Sequence, residues 1–331
     1  MNKKAMLQTT IILSLLLSTV FVLSSNGFAA AKKLKLSHSY ETITDFHKGA
    51  VWAAQEIGKR TNGRYTVDVF PSGTLGNERE VEESLSMGTV DIGFVGPGHM
   101  AQTYAPISLH LAAFLWRDID HFKMYPQTNA YKELTSEYTK RSGNQIVSLT
   151  YFGQRHVTSK KPLTKPEDFK GLKMRVPPLP VYMIFPKAVG ASATPIAFSE
   201  LYLALQQGVV VAQENPLPTI RAKKFYEVQA YIILTGHMTD GFFTLIGGPI
   251  WKKLSEADRK IFSEVFEETA RKTTDDIVAD EKELVAWFES QGTKVIEVDR
   301  KPFMKAVEGK LTGKDLPWKQ EHIDEILAIG K

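Results

Sequence analysis

The sequence predicts an α/β fold in which parallel strands are covered by helices. Strand-like and helix-like periodicities alternate after an apolar leader, the alternation returns in the middle of the chain, and the last part is helical. The chain has 331 residues, 43% of them hydrophobic, which allows two or three domains. It has no cysteine, and this excludes disulfide scaffolds, thiolate zinc sites, iron–sulfur clusters and cysteine nucleophiles.

Residues 1–30 have the pattern of a secretory signal peptide. Lys3 and Lys4 form a basic start, an apolar stretch runs from Thr9 to Val22, and small residues near Ala29 fit a cleavage site. An uncleaved membrane anchor is the alternative, but the apolar run is shorter than the roughly 20 residues that span a bilayer. We expect cleavage and a periplasmic protein.

Loss of this leader would lower the net charge by two units from the +4 of the full chain, because the leader contains two lysines and no acid. The remaining basic and acidic residues are interspersed, with no basic block. The sequence therefore predicts no binding to nucleic acid.

Five elements are predicted directly after the leader. Alternation predicts a strand at 33–38, and apolar residues at helical spacing predict a helix from Thr42 that ends before Gly63. A strand at 65–70, a helix at 78–87 and a strand at 91–95 follow. Since helical crossovers join parallel strands, this order predicts a parallel sheet with helices on its faces.

The middle of the chain predicts more elements of the same kind, with no repeat and no low-complexity linker. Apolar and β-branched runs predict strands, and helical spacing after turn residues predicts helices. The predicted strands are 146–152, 173–176, 192–195, 209–212, 230–234 and 242–246, and the predicted helices are 181–189 and 199–207.

The C-terminal part predicts one long helix. A capping-box-like start at Ser255 precedes an apolar stripe that reaches Gly292 without an interior proline or glycine. Such a helix would extend on the order of 50 Å and could brace two domains. Two ordinary helices with an unmarked break are the alternative.

Motifs of enzymes, metals and cofactors are missing from the sequence. There is no glycine-rich phosphate loop, no His-Glu-x-x-His, no Gly-x-Ser-x-Gly and no histidine pair at i, i+4 spacing. We predict a protein that is not an enzyme and has no cofactor or metal. A catalytic triad assembled in space stays open as the alternative, because triads need no local signature.

Polar residues stand at the ends of predicted strands or inside them. Arg175 lies between Met174 and Val176 in an apolar strand, so it must be paired or face solvent. A guanidinium offers a rigid fork of donors that matches a carboxylate. Arg155 and Asn215 follow two other strands. A structural salt bridge for Arg175 and helix capping for Asn215 are the alternatives to ligand binding.

Four motifs resemble one family, the periplasmic solute-binding proteins of tripartite ATP-independent periplasmic (TRAP) transporters. The resemblance extends from about residue 33 to 310, and its motifs occur in the expected order and at the expected spacing. They lie at 70–80, 171–177, 190–206 and 213–216.

The resemblance implies two α/β lobes that close on a ligand by a hinge, with the long C-terminal helix running across both. Lobe I would comprise 31–152 and about 241–280, and lobe II would comprise 153–240 and about 281–331. The implied ligand-binding residues are Arg175, which grips a carboxylate, and Arg155, Asn215, Phe198, Glu78, His38 and Tyr151.

The implied partners are a small carboxylate and the membrane subunits of a TRAP transporter, and a monomer is expected. The loop after the third strand has no side chain at Gly96 or Gly98, which argues against a large hydroxyl-rich ligand such as sialic acid. A C4 dicarboxylate, a hydroxy or keto acid, a sulfonate, a sugar acid and an aromatic acid stay open.

Three rival functions also stay open from the sequence. They are an ABC-type periplasmic receptor, a secreted hydrolase or isomerase, and a sensor subunit that reports ligand status to a membrane kinase.

Overall fold

The computed structural model describes residues 31–311 and 316–330. The predicted signal peptide, 1–30, lies outside the described residues. The fold is α/β as predicted, with nine strands in one mixed sheet in the described part of the chain. The strand order is β2-β1-β3-β8-β4-β7-β5-β6, and β9 pairs with β8. Within 31–311 and 316–330, no helix is apolar over a length that could cross a membrane.

The strands are short except for the two in the middle of the sheet. They are β1 Lys32–Ser37, β2 Tyr65–Phe70, β3 Ile92–Val95, β4 Gln145–Ser159, β5 Lys173–Val176, β6 Ser192–Pro195, β7 Ala212–Pro216, β8 Tyr231–Ile246 and β9 Lys294–Glu297. The helices are α1 Asp45–Arg60, α2 Glu78–Met87, α3 Pro97–Met100, α4 Ile119–Met124, α5 Asn129–Ser142, α6 Ile184–Ala188, α7 Leu201–Gln206, α8 Leu217–Ala222, α9 Gly248–Trp251, α10 Glu256–Ser290, α11 Arg300–Val307 and α12 Gln320–Ala328.

The first five predicted elements are found close to their predicted positions, as β1, α1, β2, α2 and β3. β1 pairs in parallel with both β2 and β3. The side chain of Asn77 caps α2 by accepting from the backbone of Glu80, and the Glu80 carboxylate accepts from Asn77 in return. This reciprocal capping satisfies two donors of the first turn and fixes where α2 begins.

β4 and β8 differ most from the prediction. The strand predicted at 146–152 continues to Ser159, and the two strands predicted at 230–234 and 242–246 are one strand. They pair antiparallel, with register shifts that include one between Tyr151 and Gly153. Residues 236–241, which separate the two predicted strands, are therefore strand as well, because their polar groups find partners inside the sheet.

Three shorter predictions also differ in extent. A 3-10 turn, Pro180–Met183, precedes α6 within the helix predicted at 181–189, and another, Phe198–Glu200, precedes α7. The strand predicted at 209–212 begins only at Ala212 and reaches Pro216. Asn215 therefore lies within a strand and not after one.

The long C-terminal helix is confirmed as α10, which has 35 residues. Ser255 caps it by accepting from the backbone of Asp258 at 3.1 Å. Phe262 and Phe266 pack in the apolar core that contains β1 and β3, which we call the first core. Leu284 and Phe288, further along the helix, pack in another core with Leu217 and Ile220 of α8, which we call the third core.

A second core lies around β5, with Met174, Phe169 and Phe185. The C-terminal helix α12 does not follow the predicted lobe boundary, which grouped 281–331 with lobe II. Its Ile323 and Ile326 pack in the first core, and Glu325 accepts backbone hydrogen bonds from the start of α5. The chain therefore returns to the first core after α11.

Candidate functional site

A cavity of about 520 Å³ is lined by segments from both ends of the sheet. The turn after β1, the start of α2 and the loop at Gly96 contribute on one side, and β5, β7 and the turn before α7 contribute on the other. Five of the seven predicted site residues line it: Arg175, Arg155, Asn215, Phe198 and Glu78. His38 and Tyr151 do not.

Arg175 lies in the middle of β5, between two parallel neighbours. Met174 packs in the second core, and strand alternation turns Arg175 to the opposite face, toward the cavity. The side chain is 1% exposed, and its Nε donates to the carbonyl of Ile196 at 2.9 Å. Among the described residues, its two terminal nitrogens bond to no acceptor.

Burial lowers the pKa of Arg175 to about 9, with the neighbouring Arg155 adding to the effect and Glu214 opposing it. The group stays cationic at neutral pH. A buried cation that lacks a paired carboxylate is costly, so an anion that enters the cavity gains a strong partner.

Arg155 differs from Arg175 because protein carboxylates already surround it. It lies inside β4, and its Nε and Nη2 both donate to the Glu214 carboxylate, with Nη2 at 2.8 Å from Oε1. Its Nη1 donates to Asp240 Oδ2 at 2.8 Å. Arg155 was predicted to bind the ligand. In the structure, most of its hydrogen-bond donors already bond to protein acceptors.

Two carboxylates and a histidine complete this buried network. Burial raises the pKa of Asp240 to about 6, and the Arg155 cation opposes that rise. For Glu214, burial also acts to raise the pKa, but Arg155 and His237 outweigh it and hold the pKa below its ordinary value. Tyr182 donates to Asp240 at 3.1 Å, which ties the 3-10 turn before α6 to β8. The network fixes one wall of the cavity.

Asn215 and Phe198 contribute an amide and a ring to the cavity lining. Asn215 donates from Nδ2 to Gln213 at 2.6 Å and accepts from Arg155 at 3.3 Å, so one N–H remains for another acceptor. The Phe198 ring lies 4.8 Å from the Lys223 ammonium.

Glu78 places a carboxylate at the cavity wall opposite the strands. It is the first residue of α2, where the positive end of the helix dipole favours an anion. Its Oε2 accepts from the backbone of Gly96 at 2.6 Å, and its Oε1 accepts from Tyr40. A side chain at position 96 would come within 3.1 Å of this carboxylate, so Gly96 makes room for Glu78.

His38 lies behind the cavity wall and not in it. Its ring stacks on Tyr40 and Phe94, and its Nε2 lies 3.2 Å from Nδ1 of His47. Burial, together with His47, lowers the pKa of His38 to about 3, so the ring is neutral at ordinary pH. His38 was predicted to contact the cavity. Tyr40, which stacks on the histidine ring, lines the cavity in its place.

Tyr151 points away from the cavity. Its hydroxyl donates to Glu281 of α10 at 2.8 Å, and its neighbour Phe152 lines the cavity instead. Successive residues of a strand face opposite sides of the sheet. Phe152 therefore faces the cavity, and Tyr151, one residue earlier in β4, faces away from it.

Sequence reasoning missed Tyr40, Tyr182 and Lys223, and it gave no role to Asp240, although all four residues line the cavity. Asp240 carried a usable signal, since a carboxylate within an apolar run must find a buried partner. Lys223 carried none, because an ordinary lysine near a helix end usually faces solvent. Within residues 31–311 and 316–330, no three His, Asp or Glu side chains are grouped in a way that could hold a metal ion.

The family model described as "Bacterial extracellular solute-binding protein, family 7" matches residues 36–312. The sialic acid-binding periplasmic protein SiaP of Vibrio cholerae serotype O1 is 32% identical to this chain over 293 residues. The alignment covers 88% of this chain and 91% of that protein. The residues matched by the family model, 36–312, include the whole cavity lining, which extends from Ser39 to Gly241.

Two solved structures are similar in fold and carry organic acids. A TRAP periplasmic solute-binding protein from Polaromonas sp. JS666, bound to D-erythronate, is 32% identical with a TM-score of 0.86, covering 91% of this chain and 99% of that chain. A TRAP solute-binding protein from Sulfurospirillum deleyianum, with bound succinate, is 27% identical with a TM-score of 0.84, covering 91% and 99% respectively.

Proposed function

The chain belongs to family 7 of the bacterial extracellular solute-binding proteins, and from that we propose that it captures a small organic acid for a TRAP transporter. The coverage of the whole cavity by the match supports this reading over an ABC-type receptor or a secreted enzyme. We propose that the protein acts as a periplasmic receptor and not as an enzyme, that residues 1–30 are its cleaved signal, and that its partners are the transporter's membrane subunits.

The observation that carries the proposal is the state of Arg175. Its guanidinium is buried and faces the cavity, and its terminal nitrogens bond to no acceptor among the described residues. A ligand carboxylate can accept two parallel hydrogen bonds from this fork. In a cavity that excludes water the resulting pair is much stronger than an exposed one.

Arg155 is proposed to act mainly by position. Because Glu214 and Asp240 hold it, it keeps β4, β7 and β8 in fixed relation around the ligand. Asn215, attached to the same guanidinium, then offers its remaining N–H from a fixed place. Such preorganisation reduces the ordering cost of binding.

Glu78 narrows the class of acid that fits. A second carboxylate on the ligand would meet the Glu78 carboxylate, whereas a hydroxyl would donate a hydrogen bond to it. The wall residues Tyr40 and Asn215 add further polar groups. We therefore propose a small monocarboxylate with hydroxyl groups, like the D-erythronate bound by the Polaromonas relative, in preference to a dicarboxylate.

Closure is proposed to occur about the middle of β4 and β8. The predicted lobe boundaries at 152/153, 240/241 and 280/281 meet where Gly153 pairs with Asp240 and where Glu281 accepts from Gln154. A bulged, glycine-containing point in two crossing strands is a suitable hinge.

Calorimetric titration tests the proposal. A thermal-shift screen of organic acids that includes D-erythronate and succinate first identifies a ligand, since ligands that bind only the folded state raise its melting temperature. Arg175→Ala should then lose roughly 100- to 1,000-fold in affinity, because the bound carboxylate stays buried and unpaired. Arg175→Lys should also bind poorly, because an ammonium cannot present the fork.

Arg141→Ala is the matched control, because Arg141 in the last turn of α5 is exposed and does not line the cavity. Its affinity should equal that of the wild type. An Arg175→Ala affinity within threefold of the wild type would contradict the assignment, and chemical conversion of the acid during incubation would favour an enzyme.

A further inference from the structure

One ion pair joins the two sides of the cavity at residues that the function above does not use. Lys223 directly follows α8, and its ammonium pairs with the carboxylate of Glu41, which lies in the turn between β1 and α1. Both side chains are only about a quarter exposed, at 24% and 26%. Lys223 also lines the cavity, with its ammonium 4.8 Å from the centre of the Phe198 ring.

The two partners belong to parts of the molecule with different apolar cores. Tyr40 and Phe46, on either side of Glu41, pack in the first core. Leu217 and Ile220 of α8 pack in the third core. The pair can therefore form only when these two parts approach each other across the cavity, and opening of the cavity must break it.

The surroundings strengthen this pair relative to an ordinary surface pair. Partial burial reduces screening by water and salt, and an ammonium over an aromatic ring gains a further attraction. The Phe198 ring belongs to the cavity lining, so the same contact holds a wall residue in place.

We propose that Glu41 and Lys223 form a latch across the cavity that sets how long the closed form lasts, and with it the residence time of the bound acid. This inference rests on the proposed function, since residence time has meaning only for a receptor. Both are positioning residues: they hold the walls together, and Arg175 holds the carboxylate.

The test compares Lys223→Met and Glu41→Gln with Lys224→Met. Lys224→Met is the matched control, because it removes the same charge at the next residue. The Lys224 ammonium pairs at 3.5 Å with Glu227 of its own segment. Since the chain has no cysteine, Met87→Cys and Leu203→Cys introduce a unique label pair at exposed positions, 68% and 54% exposed, on α2 and α7. Fluorescence energy transfer between the labels reports opening.

Lys223→Met should shift the label distances of the ligand-free protein toward the open form and should speed dissociation of D-erythronate by about fivefold. Lys224→Met should match the wild type in both. Glu41→Gln separates a latch from simple attraction of the anion. Removal of a negative charge would slow dissociation if only attraction mattered, whereas loss of the latch speeds it.

The double variant Glu41→Gln/Lys223→Met should be no faster than either single variant, since both remove the same contact. Identical distances and dissociation rates in Lys223→Met and Lys224→Met would overturn the latch. If D-erythronate does not bind the wild type and no other acid in the screen does, the proposed function fails, and the ligand-free distances alone then decide whether the latch exists.

Discussion

At the scale of the residue, two buried arginines in one cavity differ in the protein groups that bond to them. Arg155 is surrounded by Glu214 and Asp240, so its charge is balanced within the protein. Arg175 has a single backbone acceptor for its Nε and no carboxylate bonded to it among the described residues. We therefore expect a ligand anion to gain most from Arg175, although both residues line the same cavity.

Gly153 is a second position where one residue decides local geometry. Its φ of +129° lies in a region that other residues avoid. A Cβ there would come within 2.5 Å of Pro216 Cβ and 2.9 Å of Glu281 Oε1. β4, β7 and α10 can approach one another at this point only because the side chain is missing.

Gly153→Ala should lower the free energy of unfolding by about 3 kcal/mol, from backbone strain and overpacking together. Gly143→Ala provides the control, since Gly143 also has a positive φ, +75°, but a Cβ there would meet nothing within 4 Å. Gly143→Ala should lower the free energy of unfolding by only about 1 kcal/mol. Urea unfolding of both variants measures the difference. Equal losses in the free energy of unfolding would mean that Pro216 and Glu281 move away from a new Cβ at position 153 at little cost.

At the scale of the element, one carboxylate of α10 bonds directly to β4. Glu281 accepts from the backbone of Gln154 at 2.9 Å and from the Tyr151 hydroxyl at 2.8 Å, on either side of Gly153. Burial raises the pKa of Glu281 to about 7, although both hydrogen bonds act to lower it. The carboxyl group thus favours its neutral form in the folded protein.

This raised pKa predicts a loss of stability with rising pH. The contribution of Glu281 is fully present below its ordinary pKa of 4.5 and is lost as the pH rises through about 7, because the unfolded chain releases the proton more easily. Glu281→Gln has no such titration. Its stability relative to the wild type should therefore rise between about pH 4.5 and pH 8, measured by denaturant unfolding at several pH values.

The neighbouring Glu283 is exposed, so Glu283→Gln is the control and should follow the wild-type pH profile. A constant difference between Glu281→Gln and the wild type across the whole range would show that Glu281 titrates as an ordinary carboxylate in the folded protein.

At the scale of the whole molecule, the sequence predicted what depends on local pattern. The parallel arrangement of β1, β2 and β3 follows from strand and helix periods that neighbouring residues define by themselves. Arg175 could be predicted as a site residue because a guanidinium between Met174 and Val176 needs an explanation that packing alone does not give.

What the sequence did not predict depends on distant partners. β8 was predicted as two strands with a loop at 236–241 between them, and the ion pair of Asp240 with Arg155 of β4 explains how this carboxylate remains in a sheet. Tyr151 and His38 were assigned to the cavity by the family resemblance, and a sequence does not show that their side chains face Glu281 and His47 instead. The pairing of Glu41 with Lys223 has no local signal at all.

One helix joins the separate cores, and this predicts how the molecule unfolds. Phe266 of α10 is fully buried in the first core, and Phe288 of the same helix is fully buried in the third. Each Phe→Ala substitution should cost about 3–5 kcal/mol. Since a continuous helix of 35 residues links the two cores, both should lower the temperature of one shared calorimetric transition by several degrees.

Met304→Ala is the control for this experiment, because Met304 is nearly half exposed on α11 and should change stability by less than about 0.5 kcal/mol. Two separated transitions, with Phe266→Ala moving one and Phe288→Ala moving the other, would mean that the cores unfold independently. The helix would then have to unfold locally between Ile277, which packs in the first core, and Leu284, which packs in the third. A single transition instead requires α10 to keep its hydrogen bonds through this stretch until both cores unfold. The continuous helix would then couple the unfolding of the first core to that of the third.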